Sequence, residues 1–485
     1  MSEDIEVFSA HLTSDDVDLV AYQVSGFRGH ESISQPFAFT VEAVVTGGGN
    51  VSLDDLEGAA VSLHVRGRGR DRTVHGMVTA IEVARDPQAG VDQVTLELGP
   101  RLWRSSLVTM QEVFLESSVP DIVAAKLERV DLARDTDVWF ELSEEDAVRP
   151  FVVQWRERDL DFIQRLCEHR GISYHFVHRD RDEVHFVDDV GAFPELGHVL
   201  PVRESGTEEG VFALVRRRVP QPAFFTASDY NPDHPEIPVR GEYRLARGFA
   251  GACVDYGPHV GTPAEATKVA QRRGEECGTR RDVVRGDSNV LGVAAGVRAR
   301  LEHADRDPER ILFTEVFHEA SLSALLQGAG DRRPSYRCRF SAVPATAPYR
   351  PPRRTPRPSI PGLLHGTIVN GPTGIERYAK LDEQGRYWVR LMLDPAPHPS
   401  RPSVASRFLQ AHAGPGYGIH FPLKPGVEVL LGFENGDPDR PVIVGAAPNA
   451  RTPSPVTARI GTQNRIVTRS GITMDFEDGQ GAEPL

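Results

Sequence analysis

Cysteine is scarce in this sequence and no apolar run is long; each shortage closes off a class of protein. The four cysteines, Cys167, Cys253, Cys277 and Cys338, lie far apart, with no C-x-x-C pair and no histidines at zinc-finger spacing. Reduced, partly buried thiols are therefore expected. No stretch approaches about 18 uninterrupted apolar residues, the length that a membrane helix needs. The first residues, "MSEDIEVFSAHLTSDD", are acidic where a signal peptide needs a basic patch and an apolar run. Cytoplasmic synthesis and assembly are expected, with any export by a route other than a cleavable signal. The net charge of -14 is spread along the chain, and basic stretches such as "VRGRGRDR" are answered by acidic ones. No continuous positive field results, which disfavours nucleic acid as a partner.

What is present describes a β-rich protein of several parts. A chain of 485 residues is long for one core and suggests about three domains. Glycine and proline are abundant and fall between short alternating runs, the habit of strands and turns. In "VSLHVRGRGRDRTVHGMVTAIEVA", Val61, Leu63 and Val65 alternate with polar residues, a Gly/Arg turn follows, and the apolar pattern resumes at Val74, which predicts a hairpin. Three helices are predicted. One lies in "VPDIVAAKLERV", with Pro120 in its first turn; another in "RDLDFIQRLCEHRG", stopped by Gly171; the third in "TPAEATKVAQRRGEEC", capped by Thr262.

The clearest boundary is the tract "VPATAPYRPPRRTPRPSIPG", where prolines and arginines crowd and apolar periodicity disappears. Residues 351–361 read as a semi-rigid linker. Before it, residues 1–350 make one large region. After it, residues 362–450 show about five strands ("LLHGTIV", "YAKLD", "GRYWVRLML", "RFLQAHA", "EVLLGFENGDPDRPVIVGAA"), the scale of an OB-fold barrel. Residues 451–485 follow a turn-rich tract and end in a hairpin pattern around Ser470 and Gly471.

Catalytic motifs are missing: there is no H-E-x-x-H, G-x-S-x-G, Walker loop or G-x-G-x-x-G after a strand. His169, His175, His178 and His185 crowd one segment, but His175 and His178 cannot share a strand face without a bulge. Exposed polar strand residues are expected there, not a metal site. Glu434, Asp437 and Asp439 alternate as in a calcium loop, yet the twelfth-position acid is missing and two prolines interrupt. A rigid turn with Arg440 paired to an acid is the expectation. No catalytic, cofactor-binding or metal residue is assigned, and the stripe Phe162, Tyr174 and Phe176 reads as core.

Several segments resemble the VgrG family, the spike proteins of type VI secretion. "FVVQWRERDLDFIQRLCEHRGISYHFVH" is similar to its signature, with Asp159, Phe162, Arg165, Leu166, Gly171 and Tyr174 on the pattern. "PLKPGVEVLLGFENGDPDRPVIVGAAPN" resembles its most diagnostic segment, through Gly426, Glu428, Gly436, Asp437, Pro438, Asp439, Arg440 and Pro441. "VSGFRGHESISQPFAFTVEA", "ASDYNPDHPEIPV" and "GTIVNGPTGIERYAKLDEQGRYWVRL" agree in the same order. Two departures stand out. The family's tryptophan-containing run is replaced by Ala413 to Gly418, and its long intertwined needle usually continues where this sequence stops at Leu485.

The resemblance implies a mainly β fold with a few helices: two β-barrel-like hub domains with helical insertions, an OB barrel, and the start of a trimeric β-helix needle. It implies a homotrimer without enzymatic activity or cofactor, whose repeated hub domains present six similar faces to an inner-tube (Hcp-like) hexamer. Implied partners are a PAAR-like tip protein or effectors, baseplate proteins and, transiently, a target membrane. Delivery is by injection or secretion through the contractile machine. The same architecture in an extracellular contractile particle or phage-tail-like particle is the alternative, and a baseplate-associated cell-wall hydrolase is a third reading.

Overall fold

A computed structural model of the chain describes residues 8–45, 51–86, 91–144, 146–206, 208–322, 335–370, 379, 381–393 and 404–478. The chain divides into two compact units. The first comprises Met1–Thr109, Ser118–Ala147 and Arg158–Pro356, and the second Met110–Ser117, Val148–Glu157 and Arg357–Leu485. The backbone thus passes between units at 109/110, 117/118, 147/148, 157/158 and 356/357.

Alternation builds the first unit. In Gln35–Val45, Phe37, Phe39, Val41, Ala43 and Val45 are buried while their neighbours are not, so one face of the strand is core. The same rhythm through Ala60–Gly67 buries Val61, Leu63 and Val65. These strands belong to a twelve-stranded sheet. Its central run places Ala60–Gly67, Arg70–Asp86, Val91–Gly99, Gln35–Val45, Tyr22–Ser32, Glu309–Ser321 and Ser335–Pro344 side by side. The predicted hairpin forms, turning at Arg68 and Gly69, whose positive φ angles of 49° and 69° match a two-residue turn.

The sheet curls upon itself. Arg72, on Arg70–Asp86, donates from Nη2 to Glu31 Oε1 at 2.7 Å, although the strand carrying Glu31 lies three places away in the sheet order. His318, one strand further on, contacts Glu31 Oε2 at 2.9 Å and Tyr336 Oη at 2.7 Å. A flat sheet could not bring these residues together.

Among the described residues, four α-helices accompany the sheets: α1 (Leu53–Leu56), α2 (Val119–Glu128), α3 (Asp159–Arg170) and α4 (Pro263–Thr279). Ser118 caps α2 by accepting the Asp121 amide, and Thr262 caps α4 by accepting the Glu265 amide. Gly171 ends α3 at φ 74°, a left-handed position that suits glycine. Beneath α4 lies a small sheet in the order Val239–Arg244, Phe224–Asp229, Ala252–Tyr256.

The second unit is a small barrel. Its strands run in the order Val404–Ser406, Tyr387–Leu391, Leu364–Ile368, Glu428–Phe433, Pro441–Ala446. The ring closes because Leu409 N donates to Ile443 O and Ile443 N to Arg407 O. Tyr387, Val389, Leu391, Val429, Leu431 and Ile443 fill the interior. The barrel core also contains Phe151 and Val153, from the strand Arg149–Arg158, which pairs with Thr109–Ser117. Of the strand expected at "YAKLD", Tyr378 and Lys380 lie outside the described residues, and Leu381 makes a single bridge to Tyr387.

Candidate functional site

In the first unit the signature residues form a joint between α2, α3 and the first hairpin. Asp159 opens α3 and is fully buried; it accepts Lys126 Nζ from α2 at 3.1 Å, and Lys126 is equally buried. The Lys126 ammonium lies 5.8 Å from the Phe162 ring centroid and the Arg165 guanidinium 4.8 Å from it, so the aromatic is flanked by two cations. Leu166 is core. After Gly171 the chain enters the strand Ser173–His178, where the Tyr174 amide donates to Ser34 Oγ and its carbonyl accepts the Ser34 amide. Gln164 Nε2 donates to Tyr174 Oη at 2.9 Å. Burial drives the Tyr174 phenol well above its ordinary value. These contacts fasten and orient elements; none presents a reactive group to solvent.

The Pro/Arg tract is fastened as well. Glu168, on α3, accepts the backbone amides of Arg354 and Thr355, each at 2.9 Å, and Arg350 Nε donates to Glu275 on α4 at 2.8 Å. Arg353 bridges Asp255 and Glu276.

In the second unit the diagnostic segment makes a turn that closes on itself. Gly426 (φ 83°) donates its amide to Ile368 O, and Glu428 takes His365 Nδ1 at 2.7 Å and Asn449 Nδ2 at 2.8 Å. At Gly436 (φ 75°) an added Cβ would collide with Ser359 Oγ. Glu434 N donates to Arg440 O, and Arg440 N to Asp437 O, while Pro438 and Pro441 stiffen the bend. Asp439 Oδ1 accepts the Val153 amide at 2.6 Å and Oδ2 accepts Arg149 Nη2 at 2.9 Å. Arg407 pairs with Glu434, and Arg357 stands 4.0 Å from Asp437. Arginines from outside the turn, Arg149, Arg357 and Arg407, meet its acids.

One expectation about charge is corrected. The histidine segment is not an exposed strand surface: His175 and His185 are buried, because the segment packs beneath Phe193 and Gly296. His185 lies between Glu141 at 2.9 Å and Glu183 at 3.2 Å, and His178 Nδ1 accepts the His75 amide. Within the tract "VRGRGRDR", Arg66 and Asp71 pair in solvent, whereas Arg72 is drawn into the sheet interior. Sequence reasoning missed Arg72, Glu31 and Lys126; an alternating strand that places an arginine on its apolar phase is the one signal that marks Arg72.

Exposed apolar groups occur in both units, and in the second they gather toward its C-terminal part. Leu409, Tyr417, Ile419 and Phe421 are exposed along one stretch. Beyond it, strands Gln463–Val467 and Thr473–Glu477 form a two-stranded ribbon. Its register pairs Ile466 with Met474 and Asn464 with Phe476, so one face carries Ile466, Met474 and Phe476. On the other face Arg465 grips Asp475 with two hydrogen bonds, at 2.7 and 3.0 Å. Phe476 is 61% exposed and Met474 55%. Five-residue strands in a lone ribbon cannot cover such a face themselves.

A curled hub sheet with joined helices, and a five-stranded barrel running into an amphipathic ribbon, define the class of baseplate hub and spike proteins. The family described as phage tail baseplate hub (GPD) matches residues 30–324, and the type VI secretion system/phage-baseplate injector OB domain matches residues 380–447. The chain belongs to this hub family and to its VgrG spike branch.

Among relatives, the type VI secretion system spike protein VgrG5 of Pseudomonas aeruginosa is 31% identical over 484 residues, covering 95% of this chain and 59% of that protein. VgrG4b of the same organism is 30% identical over 458 residues, covering 89% and 55%. The chain thus spans a little over half the length of these relatives. Among solved structures, an E. coli type VI secretion component described as similar to the T4 tail proteins gp27 and gp5 superposes with a TM-score of 0.64 at 22% identity, covering 90% of this chain and 99% of that one. A Francisella PdpA–VgrG complex gives a TM-score of 0.60 at 9% identity, covering 98% and 84%.

Proposed function

We propose that the chain is a non-enzymatic, homotrimeric hub and spike at the tip of a contractile type VI secretion apparatus. The observation that carries this reading is the amphipathic ribbon at 463–477: among the described residues nothing covers its apolar face, and two further copies of the same ribbon would supply that cover. Residues 1–350 would form the hub ring that caps a hexameric inner tube, residues 362–450 the narrowing barrel, and residues 451–485 the base of a needle. The signature residues would act as structural joints: Asp159, Phe162, Arg165, Leu166, Gly171 and Tyr174 in the hub, and Gly426, Glu428 and Gly436 through Pro441 in the barrel. The particle would be assembled in the cytoplasm and driven outward on contraction, carrying a tip protein or effector through a target membrane. The names of the relatives support this role. Electron microscopy of the purified chain tests it: tapered particles with three-fold symmetry are expected, and single compact bodies without symmetry would contradict it.

A further inference from the structure

Three residues form one rung of the small sheet beneath α4. Phe225 pairs with Tyr243 on one side and with Cys253 on the other. Side chains of one rung point to the same face, and Phe225 is buried beneath α4, so Cys253 lies on the helix side. The helix crosses this rung at Gly274, where an added Cβ would meet Tyr243 Cδ1 at 2.5 Å and Phe225 Cδ2 at 3.3 Å. Glycine there lets α4 approach closely.

The edge strand Ala252–Tyr256 also touches α4 directly. Arg273 Nε donates to Asp255 Oδ2 at 3.1 Å, which turns the Arg273 side of the helix toward that strand. Cys277 follows Arg273 by one turn on the same side, a step of about 6 Å along the helix. Cys253 precedes Asp255 by two residues, a step of about 6.6 Å along the strand. The steps run the same way, because α4 rests on Gly241 at Thr267 and on Leu245 at Gly278 and so travels antiparallel to the edge strand. Cys277 therefore comes level with Cys253.

We infer that Cys253 and Cys277 are a redox-active thiol pair that closes a disulfide between the edge strand and α4 when the protein meets a small-molecule disulfide. Cys253 is exposed and is the entry thiol; Cys277 is half-buried and packs against the core under α4. Burial first, and then the Glu276 carboxylate, raise the Cys277 thiol above its ordinary value, with Cys253 a further contributor. The Cys253 thiolate attacks one sulfur of oxidised glutathione and expels a glutathione thiolate. Cys277, losing its proton, then displaces the second glutathione from Cys253. Two protein thiols are oxidised, one glutathione disulfide is reduced to two thiols, and no other reactant is needed.

Maleimide labelling of the folded full chain, with intact mass and peptide mapping, tests the pair. In the reduced protein Cys253 and Cys277 should label, while the buried Cys167 and Cys338 should not. After oxidised glutathione both labels should vanish, the mass should fall by two hydrogen atoms, and dithiothreitol should restore labelling. Cys253→Ser and Cys277→Ser should each leave the partner thiol open or glutathionylated, with an unchanged circular dichroism spectrum. Persistent labelling of either cysteine in the oxidised folded protein, a stable glutathione adduct on the unaltered chain, or a crosslink between chains would overturn the pair. None of these results bears on the spike reading, which symmetry tests separately.

Discussion

Asp439 accepts the backbone amide of Val153 at 2.6 Å, joining the barrel's diagnostic turn to a strand that lies 286 positions earlier in the chain. The same carboxylate holds Arg149 of that strand. Val153 is part of the barrel core, so the early strand is built into the barrel. The backbone passes between the units five times.

Replacing Asp439 with alanine should therefore loosen the early strand from the barrel. The loss of two charge-assisted bonds is expected to destabilise the barrel by about 2–4 kcal/mol. Hydrogen exchange followed by mass spectrometry should show faster exchange in residues 149–157. Unchanged protection there would show that the carboxylate does not hold the strand.

Arg72 is the tie across the curled hub sheet, and its loss leaves Glu31 buried beside His318 without its guanidinium. The arginine and the histidine hold the Glu31 carboxyl well below the usual carboxylate range in spite of its burial. Arg72→Met should cost about 3–5 kcal/mol in urea unfolding, because breaking one side of a buried pair strands the other charge. Adding Glu31→Gln should recover part of that loss. Equal losses in the single and double variants would show that the two residues do not interact.

The buried histidines make hub stability depend on pH. Desolvation, with a smaller effect of His185, lowers His175 to about 3, and desolvation likewise lowers His178 to about 3. Between pH 6.5 and 3 the unfolded chain binds protons at these sites that the folded chain refuses. The stability they allow is complete above pH 6.5 and falls as pH drops, by roughly 1.4 kcal/mol per pH unit for each histidine. Urea midpoints should decline from pH 7.5 to 5.0, and His175→Gln should flatten the decline. A midpoint unchanged over this range in the unaltered chain would contradict the burial of both rings.

Much of this organisation was legible in the sequence, and the reasons are local. The first-turn proline Pro120, the helix cap at Thr262, the stop at Gly171 and the turn at Arg68 and Gly69 depend on residues within a few positions of one another. The alternation around Ser470 and Gly471 likewise forecast the ribbon. What escaped depends on distant partners. Nothing in the sequence around Lys126 marks its partner, and only the fold places it on Asp159. The Pro/Arg tract read as a linker, and its arginines and amides find their acids on α3 and α4 only in three dimensions. The histidine segment read as solvent-facing because period-two alternation does not say which strands are covered on both faces.

The ribbon's apolar face is the proposed seat of assembly. Phe476→Asp, on that face, should weaken association by at least tenfold, since a buried carboxylate in each of three copies has no partner. The fold of each chain should remain, because Phe476 is exposed in the single chain. Sedimentation velocity over a dilution series reads this directly, and a variant that associates as tightly as the parent would remove the ribbon from the interface.

The most direct test is the particle mass of the unaltered chain by multi-angle light scattering, taken down to nanomolar concentration. A mass of three chains that persists on dilution is the predicted result. A folded species with the mass of one 53.4 kDa chain, stable at every concentration, would contradict the account.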